Sequence, residues 1–178
     1  MAEAPSLDQV FAALLSADDA KVLGALPAIE QRGDARSIRP LLHALAGARD
    51  TVVRQRITGM LYEVKVKDAA AELLAALDVP DLEPVRTTIL ATFWNAGLDV
   101  REHLDVFVST AIAGTADECF ECLTVVENQE IWPERAARTS ITRLRNAASS
   151  ELDEYKSVLL RNMQQVLEDR LGLGQAQE

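Results

Sequence analysis

A block of about thirty-two residues occurs twice in this chain, and this repeat restricts the possible folds more than any other feature. Equivalent residues of the two copies lie 32 positions apart: Leu41 and Leu73, Leu45 and Leu77, Arg54 and Arg86, Ile57 and Ile89. A fixed period of this size is typical of stacked supersecondary units that pack on their neighbours. The sequence therefore predicts a repeat architecture before it predicts any activity.

The composition favours helices over strands. Of the 178 residues, 48% are hydrophobic but only 4% are aromatic, and Ala and Leu dominate. Small and straight-chain residues with few β-branched runs prefer helix. The length suits one domain with a sizeable core. We therefore expect a single domain over residues 1–171 and a flexible C-terminal tail over residues 172–178.

Apolar stripes at helical spacing predict about ten helices in five antiparallel pairs. Helix starts are predicted at residues with capping or N1 chemistry: Ser6, Ser16, Asp34, Asp50, Asp68, Pro133 and Ser150. Gly33 is placed to end a helix as a C′ residue, and Pro40 indicates a bend or a late start. The last helix is expected to pack through an apolar stripe: Leu152, Tyr155, Leu159, Met163 and Val166.

The second and third units resemble HEAT repeats, in particular the short type first noted in phycobilisome-lyase-like proteins. The resemblance rests on three elements: the Gly-Asp opening of segment 33–42, Asp50, and the Val53-Arg54 pair. It implies a polar ladder between repeats, for which two sets of residues match: Asp50 with Arg54, and Asp81 or Glu83 with Arg86. Period and resemblance together lead us to expect an all-α fold, a right-handed α-solenoid (HEAT-like superhelix) of about five antiparallel helix pairs.

HEAT arrays mostly act as interaction scaffolds, and the resemblance implies that their second helices line a concave surface. Tyr62 and Trp94 occupy equivalent positions of second helices and lie off the apolar stripe. Tyr and Trp are enriched at interfaces, so we expect a partner-binding ridge of Tyr62 and Trp94 flanked by Arg86 and Asn95. The alternative is that the two rings pack between neighbouring units.

Charge changes sign along the chain. The net charge is −10, and by segment it is −3 over residues 1–33, +4 over 34–67, −12 over 68–134, +4 over 135–150 and −3 over 151–178. The acidic centre suggests a protein partner with a basic segment. The alternative is that bands of opposite charge pair two copies of the chain head to tail. The overall excess of acid argues against general nucleic-acid binding, which needs Lys and Arg to displace phosphate counterions.

No motif points to catalysis, and we expect neither a catalytic residue nor a metal or cofactor. The chain has no G-x-S-x-G, H-E-x-x-H or P-loop sequence. Cys119 and Cys122 form a C-x-x-C, but the apolar stripe places Cys119 in the core with Cys122 on its flank, so we interpret both as core thiols. Trp132 is expected to plug a gap between helices. Four arginines between 135 and 145 form a basic helix without the interleaved aromatics of a nucleic-acid site.

The sequence hypothesis is a non-enzymatic, cytoplasmic protein-interaction scaffold without membrane or nucleic-acid contacts. The start of the chain has no basic and apolar leader, and no run approaches 18 apolar residues. Two alternatives remain open. The resemblance extends to alkylpurine DNA glycosylases built of such repeats, which implies a DNA-repair-like enzyme. The repeat subtype also implies a tetrapyrrole or bilin-handling protein.

Overall fold

A computed structural model describes residues 4–172 of the chain and places them in an all-α fold. These residues form ten α-helices and contain no strand. The helices are α1 Leu7–Leu14, α2 Asp19–Arg32, α3 Ile38–Gly47, α4 Thr51–Tyr62, α5 Ala69–Ala76, α6 Arg86–Asn95, α7 Leu104–Ala113, α8 Ala116–Asn128, α9 Glu134–Ser150 and α10 Glu154–Arg170. Three 3₁₀ helices precede α3, α6 and α7: Ala35–Ser37, Pro80–Val85 and Arg101–His103.

The chain divides into two compact units, which meet in sequence between Ala96 and Gly97. Unit 1 contains α1 to α6, and unit 2 contains α7 to α10. The single domain expected over residues 1–171 stays a prediction. The expected tail, residues 172–178, lies outside the described residues except for Gly172.

Unit 1 has two layers of helices. The first helices of its pairs pack on each other in the order α1, α3, α5, and the second helices pack in the order α2, α4, α6. Within each pair the two helices also touch: α1 with α2, α3 with α4, and α5 with α6. Each helix therefore contacts its own pair and its neighbour in the layer, which is how units that share one core stack.

The core of unit 1 follows the 32-residue repeat. Leu41 and Leu73, like Ile57 and Ile89, are buried at equivalent positions of successive pairs. Three more apolar pairs at the same spacing of 32 residues are buried as well: Leu45 and Leu77, Val53 and Val85, Leu61 and Phe93. Apolar side chains at these positions leave water in every copy, and this burial drives the stacking. The prediction that the repeat marks the core is confirmed.

Unit 2 packs α7 on α8 and α9, and α10 on α8 and α9. A buried lysine ties the start of α10 to the end of α7. Lys156 is 8% exposed, and its Nζ donates to the Ile112 carbonyl at 2.8 Å and pairs with Glu151 at 3.1 Å. The ammonium thereby satisfies a last-turn carbonyl that has no intrahelical partner. Trp132 is buried as predicted, and its Nε1 donates to the Val126 carbonyl.

Two predicted helix starts are displaced by two or three residues. The N-cap of α2 is Asp18, not Ser16, and Ser16 instead accepts from the backbone N–H of Asp18. The N-cap of α10 is Asp153, not Ser150, because its carboxylate reaches the N–H of Lys156. The later start leaves Leu152 98% exposed, so Leu152 does not belong to the predicted stripe, and Tyr155 is also exposed.

Three other predicted boundary residues act differently from expectation. Gly33 ends α2 with an extended backbone rather than the left-handed one, and it is a glycine because a Cβ there would lie 2.5 Å from the Ile29 carbonyl oxygen. Asp68 precedes α5 with φ 66° and no side-chain cap. Pro133 is the N-cap of α9 rather than its first residue. The late start signalled by Pro40 is confirmed, since α3 begins at Ile38 after a 3₁₀ turn.

Candidate functional site

The predicted aromatic pair lies at the C-terminal ends of two helices that pack side by side. Tyr62 is the last residue of α4, and Trp94 is the next to last residue of α6. The two helices are neighbours in the second layer of unit 1. Both aromatic residues are half-buried, so part of each side chain reaches solvent while the rest packs on the protein. The structure therefore brings Tyr62 and Trp94 to matching ends of one helix layer.

A groove of about 480 Å³ runs along α4 and is called here the α4 groove. Residues one helical turn apart on α4 line it from end to end: Thr51, Arg54, Gln55, Thr58, Gly59 and Tyr62. Leu45 of α3 and Thr88 of α6 complete its lining. Gly59 lies within α4, and a Cβ built on it meets nothing within 4 Å, so the groove is open above this residue. Gly59 was not predicted as a site residue, because the only sign of the groove in the sequence is a glycine within a predicted helix.

The flanking residues of the predicted ridge are spread along α6. Arg86 is the first residue of α6, eight positions before Trp94, which corresponds to about 12 Å along a helix. Asn95 adjoins Trp94, but its Nδ2 donates back to the Ala91 carbonyl at 2.9 Å. None of Arg86, Trp94 and Asn95 lines the α4 groove. The structure thus places Tyr62 in the groove and the other three residues on the adjoining helix.

The polar ladder implied by the resemblance is built differently in the first copy. Asp50 caps α4 through the N–H of Val52, while Arg54 Nη1 donates to the carbonyls of Leu45 and Ala48. Asp50 and Arg54 therefore bond to different groups in the first copy and do not pair with each other. A link between the first helix pair and the first copy comes from Asp19, whose carboxylate accepts from the backbone N–H groups of Arg49 and Asp50. Arg54 thus has a structural role at the edge of the groove.

The α4 groove has no carboxylate in its lining. The acidic surplus of residues 68–134 is exposed elsewhere, most clearly on one side of α8. Asp117, Phe120 and Glu127 are exposed there and Glu121 is half-buried; these four residues are called here the α8 face. Phe120 keeps 47% of its surface exposed among these carboxylates. An exposed apolar ring on the same side of a helix as three carboxylates suits a basic segment with an apolar side chain.

Two Asp-x-Arg pairs precede helices, one before α3 in unit 1 and one before α7 in unit 2, and neither pair was predicted from the sequence. Asp34 accepts from the backbone N–H and the guanidinium of Arg36, and Asp99 does the same with Arg101. These hydrogen bonds lower the pKa of Asp34 and bring the pKa of Asp99 from 3.8 to about 2. The stabilisation of the fold by the Asp99–Arg101 pair is therefore complete above about pH 4, and it is lost as the pH falls toward 2 and Asp99 becomes protonated. The signal was available, since the pairs lie 65 residues apart, close to two periods.

Within residues 4–172 no group of three His, Cys, Asp or Glu side chains is arranged to hold a metal ion. Both cysteines are fully buried on α8, as the core-thiol interpretation predicts. Three arginines of the predicted basic helix are engaged: Arg138 with Glu134, Arg143 with Ser109 and Arg145 with Glu168. In the same part of the chain, no helix combines the length and apolarity needed to cross a bilayer.

Comparison with known proteins identifies no relative: no family model, no curated protein and no solved structure matches this chain.

Proposed function

We propose that this chain is a HEAT-like α-solenoid protein that acts as a non-enzymatic protein-interaction scaffold. The α4 groove, with Tyr62 at its end and Trp94 on the adjoining helix, is the partner-binding surface. The observation that carries the proposal is an open groove along the whole length of a second-layer helix that ends at a half-exposed aromatic residue. The two-layer stacking in each unit supports the solenoid part of the proposal.

The groove fits one peptide segment of a partner protein. Its twelve-residue helix is about 18 Å long, enough for about five residues of an extended chain. Threonine hydroxyls and the Gln55 amide line it and offer both donors and acceptors to a peptide backbone. Tyr62 supplies the kind of amphipathic anchor that carries much of the energy at protein interfaces.

The charge expected of the partner is inferred from the α8 face of unit 2, because the lining of the α4 groove has no carboxylate. The α8 face has three carboxylates around Phe120, and the chain as a whole carries −10. Charge of one sign raises the association rate of an oppositely charged partner and repels others. We therefore expect a partner that has a basic segment in addition to the segment that occupies the groove.

A bulky side chain at Gly59 tests the site. Gly59→Arg fills the open groove without a clash at Cβ and without a strained backbone. Gly24→Arg is the matched control, because Gly24 is also an exposed glycine inside a helix, with nothing within 4 Å of an added Cβ, and lies outside the groove. Proteins captured from the native cell extract by the wild type, quantified by mass spectrometry, are expected to fall at least tenfold with Gly59→Arg and to persist with Gly24→Arg.

Trp94→Ala and Tyr62→Ala test the aromatic anchors in the same capture assay. Truncating an interface anchor typically costs more than 1 kcal/mol of binding, a factor of about five or more. Circular dichroism and thermal melting of each variant show whether the fold is retained. Equal capture by the wild type, Gly59→Arg and the two alanine variants would exclude the α4 groove as the binding surface.

A further inference from the structure

The outward side of α10 in unit 2 presents adjacent apolar side chains to solvent. Tyr155 and Val158 are neighbours on one face of this helix, and Leu152 lies directly before its N-cap Asp153. The exposed fractions of Leu152, Tyr155 and Val158 are 98%, 55% and 44%. These three residues are called here the α10 patch. The other side of α10 packs on α8 and α9, so the patch faces away from the core of unit 2.

Leu152 has no apolar contact of the kind that usually anchors a residue at its position. A hydrophobic residue before an N-cap often packs on the fourth residue of the helix. In α10 that residue is Ser157, which is buried and whose Oγ donates to the Ala148 carbonyl. Single exposed apolar residues are common on protein surfaces, but adjacent ones that form a patch mark interaction sites. The α10 patch therefore suits contact with another protein surface.

Two opposite charges flank the centre of this patch. Glu154 and Arg161 lie seven residues apart, close to two helical turns, so both are on the outward side of α10 with Val158 between them. Both residues are exposed, and within residues 4–172 neither makes an ion pair or a side-chain hydrogen bond. A two-fold axis near Val158 reverses their order in a second, antiparallel α10. Each Glu154 then lies opposite Arg161 of the other copy, so the surface is complementary to itself.

We propose that two copies of this chain pair through the α10 patch, with their α10 helices antiparallel around a two-fold axis near Val158. Tyr155 and Val158 of the two copies cover each other, and Leu152 extends the apolar contact at both ends. Two Glu154–Arg161 ion pairs, one on each side of the axis, fix the register. The pairing is independent of the proposed scaffold function, because the α4 groove belongs to unit 1 and α10 to unit 2.

The contact area sets the expected strength of the pairing. One helix face per copy is smaller than the roughly 800 Å² per partner that a standard stable interface buries. Each copy also carries a net charge of −10, which opposes association. We therefore expect a weak dimer, with a dissociation constant on the order of 100 µM. Measurement at about 0.15 M salt screens repulsion beyond about 8 Å and affects charges in direct contact less.

The first test is sedimentation equilibrium of the full-length protein between about 10 µM and about 1 mM, a range that brackets the expected dissociation constant. The mass is expected to rise from 19.5 kDa toward twice that value and no further, since a two-fold contact closes on itself. Growth beyond the dimer would indicate a head-to-tail contact and would overturn the proposal.

Val158→Glu tests the centre of the patch. It places two carboxylates against each other at the two-fold axis and is expected to weaken the dimer at least tenfold, because like charges in contact repel strongly. Val52→Glu is the matched control, since Val52 is also an exposed valine within a helix, on α4 and outside the lining of its groove. This control is expected to dimerise as the wild type does. Circular dichroism and thermal melting show whether each variant is folded.

A charge exchange tests the antiparallel register. Glu154→Arg and Arg161→Glu each replace two attractive contacts with two repulsive ones, and each is expected to weaken the dimer roughly fivefold or more. The double variant with both substitutions restores opposite charges across the axis and is expected to dimerise within about twofold of the wild type. A merely structural role for either residue would not produce this recovery.

Three further outcomes contradict the proposal. The first is a monomer at every concentration up to about 1 mM, which would leave the patch without the proposed partner. The second is a dimer that a folded Val158→Glu variant forms as well as the wild type, which would place the contact elsewhere. The third is a double variant no better than the single ones, which would exclude the proposed register.

Discussion

Cys119 and Cys122 lie on the buried side of α8, and neither side chain reaches solvent. Burial raises the pKa of Cys119 to about 11 and raises the pKa of Cys122 as well, because a thiolate is poorly solvated in the core. The thiolate is the form that attacks disulfides and binds metals. The C-x-x-C sequence therefore supplies two small buried residues to the core of unit 2.

Both thiols are expected to be unreactive in the folded protein. The raised pKa keeps Cys119 in its unreactive thiol form at pH 8, and burial also keeps reagents away. In DTNB titrations we expect negligible reaction with the native protein and two equivalents once it is unfolded in urea. Any slow reaction of DTNB with the native protein should depend on how fast, or how often, the protein unfolds. Rapid reaction of either thiol in the native state would contradict the core assignment.

At the scale of helices, the periodicity of the sequence correctly predicted which face of a helix is buried, because this feature depends only on local spacing. The stripes at 53, 57 and 61 and their counterparts at 85, 89 and 93 are all buried, because burial of one helix face needs only local spacing. Exact helix starts were less predictable, since adjacent polar residues compete to cap: Asp18 replaced Ser16, and Asp153 replaced Ser150. In both cases the N-cap is the residue directly before the helix, where its carboxylate reaches the first N–H groups.

The candidate sites depended on packing between helices, which the sequence did not specify. The repeat singled out Tyr62 and Trp94, but the groove beside Tyr62 depends on the spacing of α4 and α6 and on Gly59. A smaller pocket, lined by Gly33 and Ser37, depends on the positions at which α2 and α4 end. A spacing close to the repeat length also appears in hydrogen bonds that were not predicted. Three side chains bond to the backbone of a residue 31 positions away: Asp19 to Asp50, Lys65 to Ala96 and Gln129 to Leu98.

Two glycines in unit 1 are expected to respond oppositely to alanine. Gly59 lies within α4 with open space around an added Cβ, so Gly59→Ala should stabilise the fold by about 0.5–1 kcal/mol through helix propensity. Gly33→Ala places a Cβ 2.5 Å from the Ile29 carbonyl and should destabilise it by about 1–3 kcal/mol. Urea unfolding followed by circular dichroism measures both. A destabilising Gly59→Ala would contradict the open groove.

For the whole molecule, charge limits the class of partner more than shape does. The chain carries a net charge of −10, and its positive segment over residues 135–150 lies entirely on α9. Three of the four arginines there are already bonded within the protein, and only Arg135 makes no ion pair or side-chain hydrogen bond in the part of the chain that the structure describes. Binding a polyanion would require breaking these contacts, which weighs against the DNA-repair alternative.

The protein is therefore expected not to bind DNA, even at low salt. Affinity for DNA comes mainly from cations that release phosphate counterions, and a net negative protein in which three of the four α9 arginines are engaged releases few of them. Electrophoretic mobility shifts with undamaged and alkylated duplexes at about 50 mM salt, where such binding is strongest, should show no complex. Glu134→Gln and Glu168→Gln free Arg138 and Arg145 for comparison. Binding of the wild type to alkylated but not undamaged DNA would instead favour the repair enzyme, because selectivity for damage needs a site that reads the altered base rather than the charge of the backbone.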